Sequence, residues 1–294
     1  MFLNEDLLVS VRAGLFSIRN ISDVIQLIGS VSGGSINSCY KLQAGNSFFF
    51  LKVNSAEKFS GMFLAEAEGL RRMRETQTVA VPQVIATGAA GNEQFLLMDW
   101  VEPARGRVVD LQELGRQLAL MHKNKAAQFG LDHNNFMGAL PQTNRLRPTW
   151  AKFFIEQRLE PQIQLALQNR QLERSMYNSF QKLFSRLGDM TPVEKPALVH
   201  GDLWSGNFMM AADGKPILID PAISYSLREV DIAMSRLFGG FSPDFYEAYN
   251  EIYPLQPGWE ERIDLWNLYP LLIHVNLFGG SYLSELKSCL ARYI

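Results

Sequence analysis

The chain changes character near residue 100, and this change constrains its fold more than any other feature of the sequence. Up to that point the periodicity predicts one or two short helices within 4–28, two β-like runs around a glycine turn within 31–53, a helix over 56–75 and two more β-like runs within 82–101. Beyond it the periodicity predicts helices near residues 108–127, 149–169, 172–188, 228–238, 242–252, 258–278 and 281–292, with one β-rich interruption at 196–220. We therefore expect an α+β fold, with a small antiparallel sheet in residues 1–100 and a larger helical part in residues 101–294.

Composition excludes several classes of function. The chain carries 28 Lys and Arg against 30 Asp and Glu, a net charge of −2, whereas a nucleic-acid-binding protein needs a basic excess to contact phosphates. Cys39 and Cys289 lie far apart with no CxxC pair, which argues against a zinc site. The sequence begins without a signal-peptide pattern and has no apolar stretch of membrane-spanning length. We expect a soluble, cytoplasmic protein with no nucleic-acid or membrane partner.

The strongest motif is LVHGDLWSGN, at residues 198–207. It matches the catalytic-loop pattern of kinases, H-R-D-L-x-x-x-N, at His200, Asp202, Leu203 and Asn207, with a glycine in place of the arginine. Phosphoryl transfer to an alcohol needs a carboxylate that accepts the hydroxyl proton and oxygen ligands that hold Mg²⁺. Asp202 is the candidate base, and Asn207 is a candidate metal ligand.

A second acidic residue follows at the end of a predicted strand. Asp220 closes the run PILID, thirteen residues after Asn207, and the turn AADGKP returns the chain between them. Mg²⁺ prefers a few carboxylate or amide oxygens together with phosphate oxygens and water. Asp220 and Asn207 are therefore the predicted Mg²⁺ ligands.

Upstream residues supply a possible phosphate clamp. Lys52 ends the β-like run FFFLKV, where a kinase places the lysine that grips the α- and β-phosphates of ATP. Glu66, one helix later, can pair with Lys52, whereas Glu68 points about 200° away from Glu66 on the helix. Gly33 and Gly34 can turn backbone N–H groups toward phosphate because glycine lacks a Cβ, although this loop alone is a weak motif.

Each of these residues also has an ordinary structural explanation. Lys52 could be a surface lysine and Glu66 a solvated helix residue, while the two aspartates could be a turn residue and a strand-end cap. We interpret His200 as a core histidine that holds the loop and assign it no chemical role. These residues occur along the chain in the same order as the corresponding residues of a kinase, and this combination favours a phosphotransferase over the separate structural explanations.

The motifs resemble those of one family closely. LVHGDLWSGN, the segment 218–241 with DPA and LFGGF, SGGSIN, FLKVN, MFLAEAEGL, FGLDHNNFMGALPQTN and HVNLFGG are similar to the fructosamine kinases, or ketosamine-3-kinases. That family lies in the aminoglycoside/choline phosphotransferase branch of the protein-kinase-like fold. The resemblance spans nearly the whole chain, and it implies a protein-kinase-like fold with a nucleotide-binding lobe at 1–100 and a catalytic, substrate-binding lobe at 101–294.

The resemblance also implies a reaction and residue roles. The reaction is ATP-dependent phosphorylation of the 3-hydroxyl of a ketosamine, free or attached to a protein amine, which leads to loss of the sugar. Asp202 would be the base, Asn207 and Asp220 the Mg²⁺ ligands, and Lys52 with Glu66 the phosphate clamp. In the segment MDWV, the carbonyl of Asp99 and the amide of Val101 would meet the adenine, and Asp231 would steady the catalytic loop.

Three further residues are candidates for the sugar pocket. Trp204 offers an aromatic face for the secondary ammonium of a ketosamine, an attraction worth about 0.5–2 kcal/mol, although core packing is an equal explanation. His274 and Asn276 lie beside a Gly-Gly break, and His274 could also be a core histidine. Leu227 stands where family members usually carry a polar residue, and we expect it to lie near the sugar.

The sequence thus predicts a small-molecule kinase that uses ATP and Mg²⁺, with a fructosamine or another ketosamine as its substrate. Two alternatives stay open. One is a kinase for another small alcohol, such as choline, a thio-sugar or an aminoglycoside, which would share every catalytic residue named above. The other is a nucleotide-binding scaffold without activity, which the intact set of Lys52, Asp202, Asn207 and Asp220 argues against.

Overall fold

A computed structural model describes residues 4–32, 36–104 and 111–294. The chain divides into two compact units, one made of Met1–Val109 with Met209–Asp220 and the other of Asp110–Phe208 with Pro221–Ile294. The first unit therefore extends past residue 100 and recruits a short later segment. The predicted assignment of nucleotide binding to residues 1–100 and substrate binding to residues 101–294 stays a prediction.

The helices and strands follow the predicted order closely. The helices are α1 Glu5–Arg19, α2 Met62–Glu75, α3 Gln112–Met121, α4 Trp150–Phe154, α5 Glu160–Gln168, α6 Arg174–Met190, α7 Glu229–Leu237, α8 Pro243–Ile252, α9 Ile263–Phe278 and α10 Leu283–Ala291. The strands are β1 Ile25–Val31, β2 Ser38–Ala44, β3 Ser47–Ser55, β4 Val84–Ala90, β5 Glu93–Asp99, β6 Asn135–Met137, β7 Leu140–Gln142, β8 Ala197–Val199, β9 Phe208–Met210, β10 Pro216–Leu218 and β11 Ser224–Ser226. None of the described helices is long and apolar enough to cross a membrane.

The first unit contains an antiparallel sheet in the order β1-β2-β3-β5-β4. Of the one or two helices predicted within 4–28, α1 is confirmed and a second is wrong, because residues 25–31 form β1 instead. This strand lies at the sheet edge, where Leu27 and Ile28 are 41% and 49% exposed. Its apolar residues therefore do not alternate between buried and exposed, and their spacing resembles that of a helix.

The two helices of the first unit pack against opposite faces of the sheet. Alternate residues of β5 divide between two apolar clusters, since Phe95 and Leu97 join the cluster that contains α1, while Leu96 and Met98 join the cluster that contains α2. Lys52 pairs with Leu96 across β3 and β5. The same alternation therefore places Lys52 on the face that α2 covers.

The second unit is mostly helical, around a core to which α9 contributes buried residues on every side. The predicted helix over 149–169 exists, but it contains a π-helical turn, Ile155–Leu159, between α4 and α5. Sequence periodicity also missed β6, β7 and β11, which have three residues each. They lie outside the predicted β-rich region 196–220, and three residues are too few to show a period of two by themselves.

Candidate active site

A buried lysine lies between two carboxylates in the first unit. Nζ of Lys52 donates to Oε1 of Glu66 at 2.7 Å and to Oδ1 of Asp220 at 2.5 Å. Burial opposes the charged form of the lysine, but both carboxylates outweigh burial and raise its pKa. The structure thus brings together three of the predicted site residues, with Lys52 in its charged form.

Helix geometry explains why Glu66 and not Glu68 meets the lysine. The Glu66 side chain faces the sheet and is 11% exposed, and burial raises its pKa although Lys52 opposes this. Glu68 instead accepts hydrogen bonds from Arg71 and Arg72 on the outer side of α2. The hydrogen bond from Arg71 is the main reason, and the bond from Arg72 a further one, that the pKa of Glu68 is lowered to about 2.

Asp220 lies two residues beyond β10 in a left-handed backbone conformation, with φ of 55°. The strand before it is fixed by a hydrogen bond from the amide of Leu218 to the carbonyl of Ala80. The Asp220 side chain is 44% exposed. The carboxylate therefore holds Lys52 and still presents part of its surface to solvent.

In the second unit, Asn207 is tied directly to Asp202. Its amide nitrogen donates to the carbonyl oxygen of Asp202 and to Oδ2 of its carboxylate, both at 2.8 Å. Asn207 is 5% exposed and ends a single 3₁₀ turn, Ser205–Asn207. These bonds use the amide nitrogen, so the amide oxygen is the atom that Asn207 can offer to a metal.

A buried aspartate clamps the backbone just before Asp202. Asp231 is fully buried and accepts hydrogen bonds from the amides of His200 at 2.7 Å and Gly201 at 2.9 Å. Burial would raise the pKa of Asp231, but the contacts with His122, His200 and the Gly201 amide lower it. The carboxylate that the resemblance assigned to loop support thus lies in contact with that loop.

Gly201 explains the missing arginine of the kinase pattern. Its φ is 85°, and a Cβ at this position would lie 2.1 Å from the carbonyl oxygen of Ala222. That is far inside van der Waals contact with backbone that cannot move aside. A residue with a side chain would displace the segment after Pro221.

His122 is a site residue that the sequence analysis missed. It is fully buried, with Nε2 3.1 Å from Oδ2 of Asp231 and Nδ1 2.8 Å from the hydroxyl of Tyr249. Burial lowers the pKa of His122, so the ring is neutral, donating to Asp231 and accepting from Tyr249. The sequence offers one signal for His122, which is its place directly after the last apolar residue of α3.

Two of the three predicted sugar-pocket residues share an aromatic neighbour. Trp204 is 38% exposed, and its ring meets Phe238 edge-on at 6.3 Å between centroids. The His274 ring lies 4.9 Å from the Phe238 ring between centroids, and its Nδ1 is 2.7 Å from the carbonyl oxygen of Pro270. Burial lowers the pKa of His274. Trp204, Phe238 and His274 therefore form one half-exposed aromatic patch.

The third candidate, Asn276, lies elsewhere. Its amide nitrogen donates to the carbonyl oxygen and to Oε1 of Gln162, which joins α9 to α5. Leu227 is fully buried in the helical core, and its position near the sugar stays a prediction.

The remaining predicted residues lie at the end of β5 and in the glycine loop. Asp99 is the last residue of β5; its amide donates to the carbonyl of Gln83 at 2.9 Å, and its carboxylate pairs with Arg19. Val101 follows and is half-buried. Their adenine contacts stay predictions. Gly33 and Gly34 lie outside the described residues.

Comparison with known proteins now decides the family. The model of the fructosamine kinase family matches residues 16–294. The chain belongs to the fructosamine kinase family. Because the match covers nearly all of the chain, it includes the catalytic loop, the lysine strand and the aromatic patch.

Curated relatives agree with this assignment. A "probable ketoamine kinase" from Synechocystis is 43% identical over 90% of this chain and 91% of its own length. The "protein-ribulosamine 3-kinase, chloroplastic" of Oryza sativa subsp. indica is 38% identical over 91% of this chain and 78% of its own length.

Solved structures agree on the fold. A "putative fructosamine-3-kinase" from Thermobifida fusca is 32% identical with a TM-score of 0.86, covering 97% of this chain and 98% of its own. The aminoglycoside phosphotransferase APH(4)-Ia is 14% identical with a TM-score of 0.60, covering 98% and 99%. The latter likeness concerns the fold alone, and it identifies an α+β, protein-kinase-like fold.

Proposed function

We propose that this protein is an ATP-dependent kinase that phosphorylates the 3-hydroxyl of ketosamines, small or protein-bound. Membership in a kinase family supports ATP as the phosphoryl donor. The observation that carries the proposal is the buried Lys52, held by Glu66 and Asp220 in a charged state suited to phosphate oxygens. A lysine buried for packing alone would lose its charge rather than gain two acidic partners.

The proposed metal is Mg²⁺, with Asn207 and Asp220 as its protein ligands. Among the described residues there is no cluster of three or more His, Cys, Asp or Glu side chains that would hold a metal alone. This fits Mg²⁺, which usually takes one or two protein oxygens and completes its shell with phosphate oxygens and water. When bound, ATP and Mg²⁺ supply the phosphoryl group and neutralise its charge.

Asp202 is the proposed base. Its carboxylate accepts the proton of the sugar hydroxyl as the new O–P bond forms and the bond to the leaving diphosphate breaks. Asn207 fixes one carboxylate oxygen by its 2.8 Å hydrogen bond, and Asp231 fixes the preceding backbone. The residues of this chain thus contribute orientation and one proton acceptor, and the transfer needs no covalent intermediate.

The aromatic patch of Trp204, Phe238 and His274 supports an amine-bearing sugar as the acceptor. A secondary ammonium beside a polyol can bind the faces of such rings through cation–π attraction. A relative named protein-ribulosamine 3-kinase supports ketosamines on proteins as the proposed partners. The proposed location is the cytoplasm, since Cys39 and Cys289 form no disulfide.

A substrate panel tests this proposal. ADP release is measured with ATP and Mg²⁺ against fructose-lysine, ribulose-lysine, choline, a thio-sugar and an aminoglycoside. We expect turnover with the two ketosamines and a product phosphorylated at the 3-hydroxyl, located by phosphorus NMR. Turnover with choline, the thio-sugar or the aminoglycoside alone would replace the substrate assignment, and ATP binding without turnover on any acceptor would indicate a scaffold.

A further inference from the structure

A second buried cation lies in the helical unit, beside a small cavity. The cavity has a volume of about 30 Å³, and its lining includes Trp150, Arg158, Gly201, Ser224 and Ser226. A cavity needs about 10–15 Å³ to hold one water molecule, so this one has room for two or three water molecules or for one small ion, and not for a sugar.

Arg158 carries its charge without a counterion. It is 4% exposed and lies in the π-helical turn, a feature common at functional sites. Nη1 donates to the carbonyl oxygens of Thr143 and Gln157, and Nη2 donates to Oδ1 of Asn144 and Oγ of Ser224. All four acceptors are neutral, and within the described ranges no carboxylate pairs with Arg158. Burial accordingly lowers the pKa of Arg158 to about 10.

A second donor beside the cavity also lacks an acceptor. The indole Nε1 of Trp150 is buried and has no hydrogen-bond partner. An unsatisfied buried N–H destabilises the fold, and an unpaired buried charge destabilises it more. The Arg158 guanidinium lies over the rings of Phe153 and Tyr269, at 4.5 Å and 5.6 Å from their centroids, but no carboxylate of the described residues balances its charge. The cavity lining therefore combines a positive charge that has no counterion with an unused N–H donor.

We propose that this cavity binds one halide-sized monovalent anion, which is chloride in ordinary buffers. The charge decides between an anion and water, because water would accept from the indole but would leave Arg158 uncompensated. A halide fits a cavity of this size. The charge of Arg158 and the indole N–H of Trp150 attract the anion. Oγ of Ser224 accepts from Arg158 and shares a hydrogen bond with Oγ of Ser226, so one hydroxyl of this pair is left to donate to the anion.

The site also adjoins the catalytic loop. Gly201, whose amide is bound by Asp231, lines the same cavity, and Ser224 pairs with Val199 in the β8–β11 ladder. Loss of the anion would therefore destabilise the second unit around this loop. The site itself does not depend on the substrate proposed above.

Bromide locates the site directly. Crystals of the full chain grown or soaked in sodium bromide should give an anomalous peak inside the cavity, close to Arg158 and the Trp150 ring. A cavity that contains only ordered water, with no anomalous signal at saturating bromide, would overturn the proposal.

Thermal unfolding measures the same binding in solution. At equal ionic strength, chloride or bromide in place of gluconate should raise Tm by about 2–4 °C at a halide concentration several times the dissociation constant. Trp150→Phe keeps the arginine and removes the N–H, so it should weaken halide affinity several-fold. Arg158→Met should abolish the halide effect, and Arg145→Met, at an exposed arginine of the same unit, should retain it in full.

If Arg158→Met does not fold, Trp150→Phe still tests the proposal, because it retains the charge of Arg158 and an aromatic ring in the core. Equal curves in chloride and gluconate for the unmodified protein would contradict the proposal. So would a halide effect that Trp150→Phe leaves unchanged.

Discussion

Lys52 and Arg158 are both buried cations, yet their surroundings act on them in opposite directions. Lys52 contacts two carboxylates, which raise its pKa despite burial. Arg158 donates to neutral oxygens and lies over the rings of Phe153 and Tyr269, and burial lowers its pKa to about 10. Burial alone therefore does not determine whether the pKa of a basic side chain rises or falls; the charges of the groups in contact with it decide the direction. Carboxylates of the protein balance the charge of Lys52, whereas the anion proposed above balances the charge of Arg158.

Removal of the paired cation should have the largest effect. Lys52→Met leaves Glu66 buried with no cation beside it, and breaking a buried pair in this way costs about 3–5 kcal/mol. We expect that loss in the free energy of unfolding in urea, together with loss of ATP turnover. Lys58→Met, at an exposed lysine of the same unit, is the matched control and should change neither. A stable, active Lys52→Met variant would contradict the role of the pair.

Removal of one carboxylate should have a smaller effect, because the other remains. Glu66→Gln keeps the shape of the side chain and leaves Lys52 paired with Asp220, so we expect a loss of about 1–3 kcal/mol in the free energy of unfolding. Turnover should fall as the lysine loses its fixed position.

An Asp220→Asn variant that binds ATP and Mg²⁺ as well as the unmodified protein would remove Asp220 from the metal site.

His122 provides a pH-dependent comparison. Its pKa in the folded protein lies below the unfolded value of about 6.5, so the unfolded chain takes up a proton that the folded chain excludes. Stability from this group is complete above about pH 6.5 and decreases as the pH falls below that value. His122→Gln can still donate to Asp231 and should flatten this part of the curve of unfolding free energy against pH. An unchanged curve would show that His122 is not held neutral.

Glu68 should have the smallest effect. Its pairs with Arg71 and Arg72 lie on the outer side of α2, where ion pairs contribute at most about 1 kcal/mol. Glu68→Gln should therefore change the free energy of unfolding by less than that and leave turnover unchanged. A loss as large as that of Glu66→Gln would show that position on the helix does not separate the two residues.

Much of the first unit could be predicted because its periodicities are local. Alternation along β3 and a period of 3.6 along α2 are enough to bring Lys52 to Glu66. β1 was missed because an edge strand exposes apolar residues on both faces, so its spacing carries no strand signal. The sequence therefore predicts only four of the five strands of this sheet.

The second unit was predictable in its helices and less so in its polar contacts. The helical period over 149–169 does not reveal the π-helical turn that surrounds Arg158, since one extra residue in a turn does not change the apolar pattern enough. His122 and Asp231 meet over a sequence separation of 109 residues, and Asn276 binds Gln162 over 114. Contacts at such distances depend on how helices pack, which local sequence does not specify.

The central claim is that Asp202 accepts the proton of the sugar hydroxyl, and Asp202→Asn tests it most directly. Turnover of fructose-lysine and the dissociation constant of ATP with Mg²⁺ are measured on the same preparation. We predict that ATP affinity is retained while turnover falls by about 10²- to 10⁴-fold, because the amide cannot accept the proton. Turnover within a few-fold of the unmodified protein would contradict the assignment.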